Sequence, residues 1–269
     1  MEQPKNNFKI VSDKKARMIL PNAITIIGVC IGLTSIKFAL DGKFTHAIVA
    51  ILFAGLMDAL DGRIARLIKG TSKMGKELDS LGDVISFGVA PAFIMYFWSL
   101  QYLDKLGWFV CLIYVICVAL RLARFNISSE EESSWKDNFF EGVPAPAGGI
   151  LVLMPLVLSF SGLGDIFFKI NYDLIVPLFF IVVSILLIST VPTYSFKRIV
   201  IPRAMTKFLL FGIVLFFGAL LVYTFKVLVV SIFLYLCLIP VSYFYYKKMK
   251  KEKNVIADIN ESEDLEDIL

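Results

Sequence analysis

Long apolar stretches alternate with short clusters of lysine, arginine and aspartate along the whole chain. A helix rises 1.5 Å per residue, so about 20 apolar residues are needed to cross a hydrocarbon core of roughly 30 Å. On that measure the pattern predicts helices at 23–40, 44–68, 84–102, 108–124, 148–160, 174–191, 208–225 and 227–246. The expected fold class is all-α: a polytopic transmembrane helical bundle of about eight spans. Phe8, Ile10, Val11, Met18, Ile19 and Leu20, set among lysines, predict a short interfacial helix ahead of the first span. Composition strengthens the membrane reading, since 58% of the 269 residues are hydrophobic and the mean hydropathy is +0.76.

Charge tests the span count independently. In the eight-span layout, 22 of the 27 lysines and arginines fall on the side of the termini. Lys43, Lys105, Lys169 and Lys226 fall on the other side, and Lys37 lies within the first span. Basic residues collect on cytoplasmic flanks. An integral protein of the cytoplasmic (inner) membrane is therefore expected, with both termini in the cytoplasm. The basic residues serve as membrane flanks, and no nucleic-acid partner is expected. No cleavable signal peptide is visible in the first twenty residues. Cys30, Cys111, Cys117 and Cys237 all fall inside predicted spans without C-x-x-C spacing, which argues against a disulfide framework or a zinc site.

Against this apolar background one stretch stands out, running D-x-x-D-G-x-x-A-R, then G-x-x-x-D-x-x-x-D, through Asp58, Asp61, Gly62, Ala65, Arg66, Gly75, Asp79 and Asp83. Acids three and four residues apart project from one helical face. Carboxylates grouped at membrane depth are costly and need compensating cations. Four carboxylates with no nearby His or Cys form a hard oxygen ligand set suited to two divalent cations, Mg²⁺ or Mn²⁺. The sole histidine, His46, is predicted near the opposite side of the membrane. Paired divalent ions suit displacement at phosphorus. Arg66 offers a forked donor to phosphate, Gly62 and Gly75 allow close approach of a nucleotide or pyrophosphate, and Asp83 can accept a proton from an attacking hydroxyl. Two blander readings compete: a solvated acidic helix face, and the intramembrane acids of an ion-coupled transporter or channel. Neither calls for glycines and an arginine in fixed register.

This register resembles the signature of the CDP-alcohol phosphatidyltransferase family. The resemblance implies an integral membrane enzyme that moves a phosphatidyl group from a CDP-linked lipid to an alcohol and releases CMP, with two metal ions at the cytoplasmic surface. By the same resemblance Asp58, Asp61 and Asp79 bind metal, Asp83 binds metal and acts as general base, and Gly62, Arg66 and Ser72 contact the CDP moiety. Gly75 joins that site, and Asn22, after Pro21 at the head of the first span, is a further nucleotide contact. The implied organisation is an interfacial helix at 1–20, the family core of about six spans at 21–200, two additional spans at 201–246, and a charged, disordered cytoplasmic tail at 247–269.

The segments at 119–126, 140–149 and 192–197 are similar to those of membrane-embedded (type II) phosphatidylserine synthases within that family. They imply CDP-diacylglycerol and L-serine as substrates, and the family implies a homodimer. Val143, Gly148 and Gly149 depart from the common form, which has Leu and two alanines there. A zwitterionic amino acid needs its carboxylate paired, and Arg121, Arg124 and Lys197 are suitable cations. Asn126 and Ser195 offer neutral hydrogen bonds. The same cations also fit simple positive-inside anchoring, and a sister enzyme using glycerol 3-phosphate, inositol phosphate or choline is the alternative. Gly28 and Gly32 form a small-xxx-small pair suited to a helix contact or a dimer face.

Overall fold

Helices α1 (Asp13–Leu40) and α2 (Phe44–Leu67) form an antiparallel hairpin. It is closed by a tight turn in which Gly42 N donates to Ala39 O at 3.0 Å and Lys43 N to Phe38 O at 2.8 Å. An exposed ion pair joins Lys37 to Asp41 beside the turn. The hydrogen bond from Lys37 holds the Asp41 carboxyl below the usual carboxylate range. The hairpin closes tightly because α2 buries small and branched residues, Ala47, Ile48, Ala50, Ile51 and Ala54, and because Gly28 faces the Met57 side chain. A Cβ on Gly28 would lie 3.3 Å from the Met57 Cβ.

The computed structural model describes residues 13–68, 70–128, 139–163, 172–194 and 205–266. After the first hairpin come α3 (Lys73–Asp83), a six-residue π-helical segment (Val84–Val89) and α4 (Ala90–Trp98), which form one continuous rod. The rod starts at Lys73 rather than at the expected position 84. Its first turns carry Lys73, Lys76, Glu77, Asp79 and Asp83, and that polarity conceals a helix from hydropathy. α5 (Asp104–Ser128) follows, then α6 (Ala145–Val152), α7 (Met154–Ser161), α8 (Tyr172–Ile188), α9 (Thr206–Val222) and α10 (Thr224–Glu266). The fifth expected span is thus two short helices, broken where Pro155 occupies the first turn of the second, a position that proline tolerates because the amide there lacks a partner anyway.

Among the described residues, four helical stretches are long and apolar enough to cross a membrane: Ile19–Leu40, Lys73–Trp98, Leu100–Ile127 and Thr224–Lys247. Leu174–Ile188 and Thr206–Val222 are apolar but shorter. Among the described residues, the only departure from helix and turn is an antiparallel pairing of β1 (Phe139–Glu141) with β2 (Pro192–Tyr194), with Phe139 opposite Tyr194. Its approach depends on Gly142, which has φ +73° and would place a Cβ 2.6 Å from the Ser189 carbonyl. Two sequence boundaries are redrawn. Asp13–Leu20 is continuous with the first span through Pro21, while residues 1–12 lie outside the described part. Beyond Lys247, where the composition suggested a disordered tail, α10 continues as helix to Glu266.

The core lies where α2, the π segment, α5 and α8 meet. Phe87, Ile94, Tyr114 and Phe180 are fully enclosed there, and the Tyr114 and Phe180 rings meet edge to face with centroids 5.4 Å apart. Tyr114 also donates its hydroxyl to the Phe87 carbonyl at 2.7 Å, which pairs a π-segment acceptor that would otherwise be buried alone. Two helices close on the segment through glycines. A Cβ at Gly32 of α1 would meet the Ser86 Oγ at 2.6 Å, and one at Gly149 of α6 would meet the Phe87 Cβ at 3.0 Å. The Gly28 and Gly32 pair is therefore used for packing within the chain. The π segment begins immediately after Asp83, so this clamp fixes the end of the acidic helix.

Candidate active site

Three helices converge on the acidic cluster. α2 contributes Asp58, Asp61, Gly62 and Arg66 from its final turns, α3 contributes Gly75, Asp79 and Asp83, and α1 contributes Asn22 and Thr25. The antiparallel approach of α2 and α3 turns the two acidic faces toward each other. Asp58, Asp61 and Asp79 each present a carboxylate oxygen within 4.8 Å of the others. Asp83 completes the enclosure, since all four aspartates, with Thr25 and Ser86, bound a small cavity of about 10 Å³. A cavity of that size accommodates about one water-sized object. The residues bounding it include no lysine or arginine, so four acids share a confined space with no protein cation in its wall. Oxygen-only donors, close convergence and concentrated negative charge all fit divalent cations.

Asp61 is only 4% exposed and is held by a residue that the motif does not contain. The Thr25 hydroxyl donates to Asp61 Oδ2 at 2.6 Å and also lies 3.1 Å from the Pro21 carbonyl. Thr25 sits three residues after Asn22, on the same helical face, and that spacing was the available signal for it.

Opening beside the acidic cluster is a cavity of about 310 Å³ lined by Asn22, Gly62, Arg66, Ser72 and Gly75, with Asp61 and Asp79 in its wall. All five residues expected to hold the CDP portion are thus brought together, next to the predicted metal ligands. Ser72 caps α3, accepting a hydrogen bond from Gly75 N at 3.0 Å. The positive pole of that helix consequently faces the cavity, as anion sites at helix N-termini require. Gly75 gives Asn22 its space, since a Cβ there would lie 2.9 Å from Asn22 Oδ1. A Cβ on Gly62 would meet nothing closer than Arg66 Nη2 at 4.0 Å, so its hydrogen leaves the cavity floor open. Arg66 Nε donates to the Gly62 carbonyl at 3.0 Å, an anchor that leaves both terminal nitrogens for a ligand.

Of the residues expected to hold the acceptor, Arg121, Arg124 and Asn126 are among those described, and these three line neither cavity. Arg121 is buried, with its guanidinium carbon 5.7 Å from the Phe125 ring centroid and close enough to Asp83 for their charges to interact. Arg124 Nη1 donates to the Ile188 carbonyl at the end of α8, at 2.8 Å. Asn126 Nδ2 donates to Ser80 Oγ at 2.9 Å, and its backbone carbonyl accepts from Lys76 Nζ at 3.4 Å, so it ties α5 to α3. Ser195 and Lys197 lie outside the described residues.

Sequence comparison agrees with this geometry. A family profile described as CDP-alcohol phosphatidyltransferase matches residues 18–185. The CDP-diacylglycerol--serine O-phosphatidyltransferase of Mycobacterium leprae is 37% identical over 224 residues, covering 82% of this chain and 73% of that protein. The protein of the same description from Mycobacterium tuberculosis is 36% identical over 226 residues, covering 82% of this chain and 77% of its own. That from Helicobacter pylori is 35% identical over 181 residues, covering 67% and 74%.

Proposed function

The chain belongs to the CDP-alcohol phosphatidyltransferase family, and from that premise we propose that it is a CDP-diacylglycerol–serine O-phosphatidyltransferase, making phosphatidylserine and CMP. One observation carries this reading: the 310 Å³ cavity of Asn22, Gly62, Arg66, Ser72 and Gly75 shares Asp61 and Asp79 with the carboxylate cluster. A nucleotide-linked phosphate in that cavity has its pyrophosphate at the acids. The names of the relatives support serine as the alcohol.

Asp58, Asp61, Asp79 and Asp83 would hold the divalent cations, Mg²⁺ or Mn²⁺, which when bound would supply positive charge to offset that of the phosphates and the leaving group. Arg66 and the first turn of α3 bind the phosphates. Asn22 and Ser72 border the nucleotide, and Gly62 and Gly75 admit it. An Asp83 carboxylate oxygen takes the proton from the serine hydroxyl as its oxygen bonds to the phosphatidyl phosphorus. The bond from that phosphorus to the bridging oxygen breaks, and CMP leaves with the electron pair. Arg121 pairs the serine carboxylate. Arg124 and Asn126 support the acceptor region by bracing α5 against α8 and α3, and Ser195 and Lys197 are the further residues assigned to serine from the sequence.

The setting belongs to the same proposal. Eight spans, both termini and the acidic site on the cytoplasmic side of the inner membrane, and a homodimer suit a lipid substrate that enters from the bilayer and an amino acid that enters from water. The test is to incubate the purified protein with CDP-diacylglycerol, Mn²⁺ or Mg²⁺, and labelled serine, glycerol 3-phosphate, inositol phosphate or choline, and to measure released CMP and the labelled lipid. Phosphatidylserine is the expected product. CMP release with another alcohol alone would move the protein to a sister activity, and no release with any of them would remove the enzymatic reading.

A further inference from the structure

Three buried side-chain polar atoms have no hydrogen-bond partner among the described residues: Arg121 Nε, Tyr235 Oη and Ser242 Oγ. Groups of this kind are rare in folded proteins because leaving one unpaired costs about 1–3 kcal/mol. Two of the three are neighbours. Arg121 on α5 lies close enough to both Tyr235 on α10 and Asp83 to interact with them electrostatically. Arg121 is 8% exposed, and its Nε is out of reach of bulk water. α10 lies beyond residues 18–185, where the family match ends, and it packs against α7 and β2.

The chemistry of the two atoms narrows what belongs between them. A guanidinium nitrogen only donates, and a phenol donates its single hydrogen most strongly to a charged oxygen. A ligand that satisfies both must supply lone pairs and negative charge. The alcohol proposed above carries one such group, its carboxylate, and its hydroxyl must meanwhile reach Asp83, whose charge also acts on Arg121. We propose that Tyr235 and Arg121 together hold the acceptor's carboxylate, so that the last helix contributes a specificity-determining residue from outside the family core. This assignment rests on the serine reading of the site. It implies that an amino-acid acceptor is distinguished from alcohols lacking a carboxylate partly by a residue the shared family segment does not contain.

The experiment uses the full-length protein in detergent micelles with CDP-diacylglycerol and L-serine, following CMP release. Tyr235→Phe deletes one hydroxyl and keeps the ring. It should raise the KM for serine about tenfold, the effect of one charge-assisted hydrogen bond, while the KM for CDP-diacylglycerol stays within twofold of the parent. KM does not depend on how much of a preparation is folded, so partial loss of protein leaves the comparison intact. Arg121→Lys, which keeps the charge and loses the Nε donor, should shift the same constant in the same direction. An unchanged serine KM in Tyr235→Phe, in a parent that makes phosphatidylserine, overturns the Tyr235 assignment alone. Equal rises in both KM values also overturn it, because a merely structural residue would behave that way. A parent that ignores serine but uses another alcohol overturns the functional reading and this assignment together.

Discussion

Replacing Gly75 by alanine sets two effects of opposite sign against each other. The new methyl would lie 2.9 Å from Asn22 Oδ1 and 3.1 Å from Ser72 Oγ, inside ordinary carbon–oxygen contact distance in both cases. If Ser72 yields, the N-cap bond to Gly75 N is lost, at about 1 kcal/mol. Alanine in place of glycine within a helix returns up to about 1 kcal/mol, so the fold should be nearly indifferent. Nothing offsets the displacement of Asn22, which lines the large cavity. Losing one well-placed hydrogen bond to the nucleotide is worth about 1.4 kcal/mol, or tenfold in affinity. Gly75→Ala should therefore raise the KM for CDP-diacylglycerol about tenfold, with the serine KM and the thermal unfolding midpoint close to parent values. The assays are CMP release with each substrate varied in turn and thermal unfolding in detergent. An unchanged CDP-diacylglycerol KM would refute the cavity as the nucleotide site, and a large fall in the midpoint would refute the balance of cap against propensity.

Three further outcomes follow from particular residues. Asp83→Asn should abolish turnover while CDP-diacylglycerol binding, measured by equilibrium dialysis, persists; near-parent turnover would exclude Asp83 as the base. Thr25→Val removes the hydroxyl that fixes Asp61, and the concentration of Mn²⁺ needed for half-maximal rate should rise roughly tenfold or more, as when other supports of metal ligands are lost. A metal titration superimposable on the parent's would show that Asp61 orients itself. Gly142→Ala forces a side chain into a positive-φ site and against the Ser189 carbonyl. It should lower stability by about 2 kcal/mol or more without a selective change in either KM, and an unaltered unfolding midpoint would contradict that.

The residues of the acidic cluster and of the cavity beside it were legible in the chain because the proposed chemistry demands particular side chains at fixed helical spacing. Asp58, Asp61, Gly62, Arg66, Gly75, Asp79 and Asp83 were all found from the motif, and they meet in space. Thr25 and Tyr235 were not found, since a threonine in a span and a tyrosine among Leu234, Leu236 and Cys237 look like ordinary membrane-facing composition. Apart from the spacing of Thr25 from Asn22, their significance comes from what lies across from them. Arg124 and Asn126 were read as acceptor contacts from charge and polarity, yet each already has a partner within the fold. Periodicity located most helices but set the start of the third span at 84. Hydropathy averages over a face, and α3 has one face for the acids and another for packing. Nor does any local pattern announce the π segment, which depends on Gly32 and Gly149 arriving from elsewhere in the chain.

That segment also determines how the third rod is phased. Each residue of an α-helix advances about 100° around the axis, whereas a stretch bonded i to i+5 winds wider and takes up an additional residue. The carboxylate side of Lys73–Asp83 and the packed side of Ala90–Trp98 therefore need not share a single stripe along the cylinder. The lower part can face the α2 carboxylates while the upper part turns toward its helical neighbours, each in its own orientation. Shortening Val84–Val89 by one residue would bring the two halves into common rotation, and one of the two faces would point the wrong way.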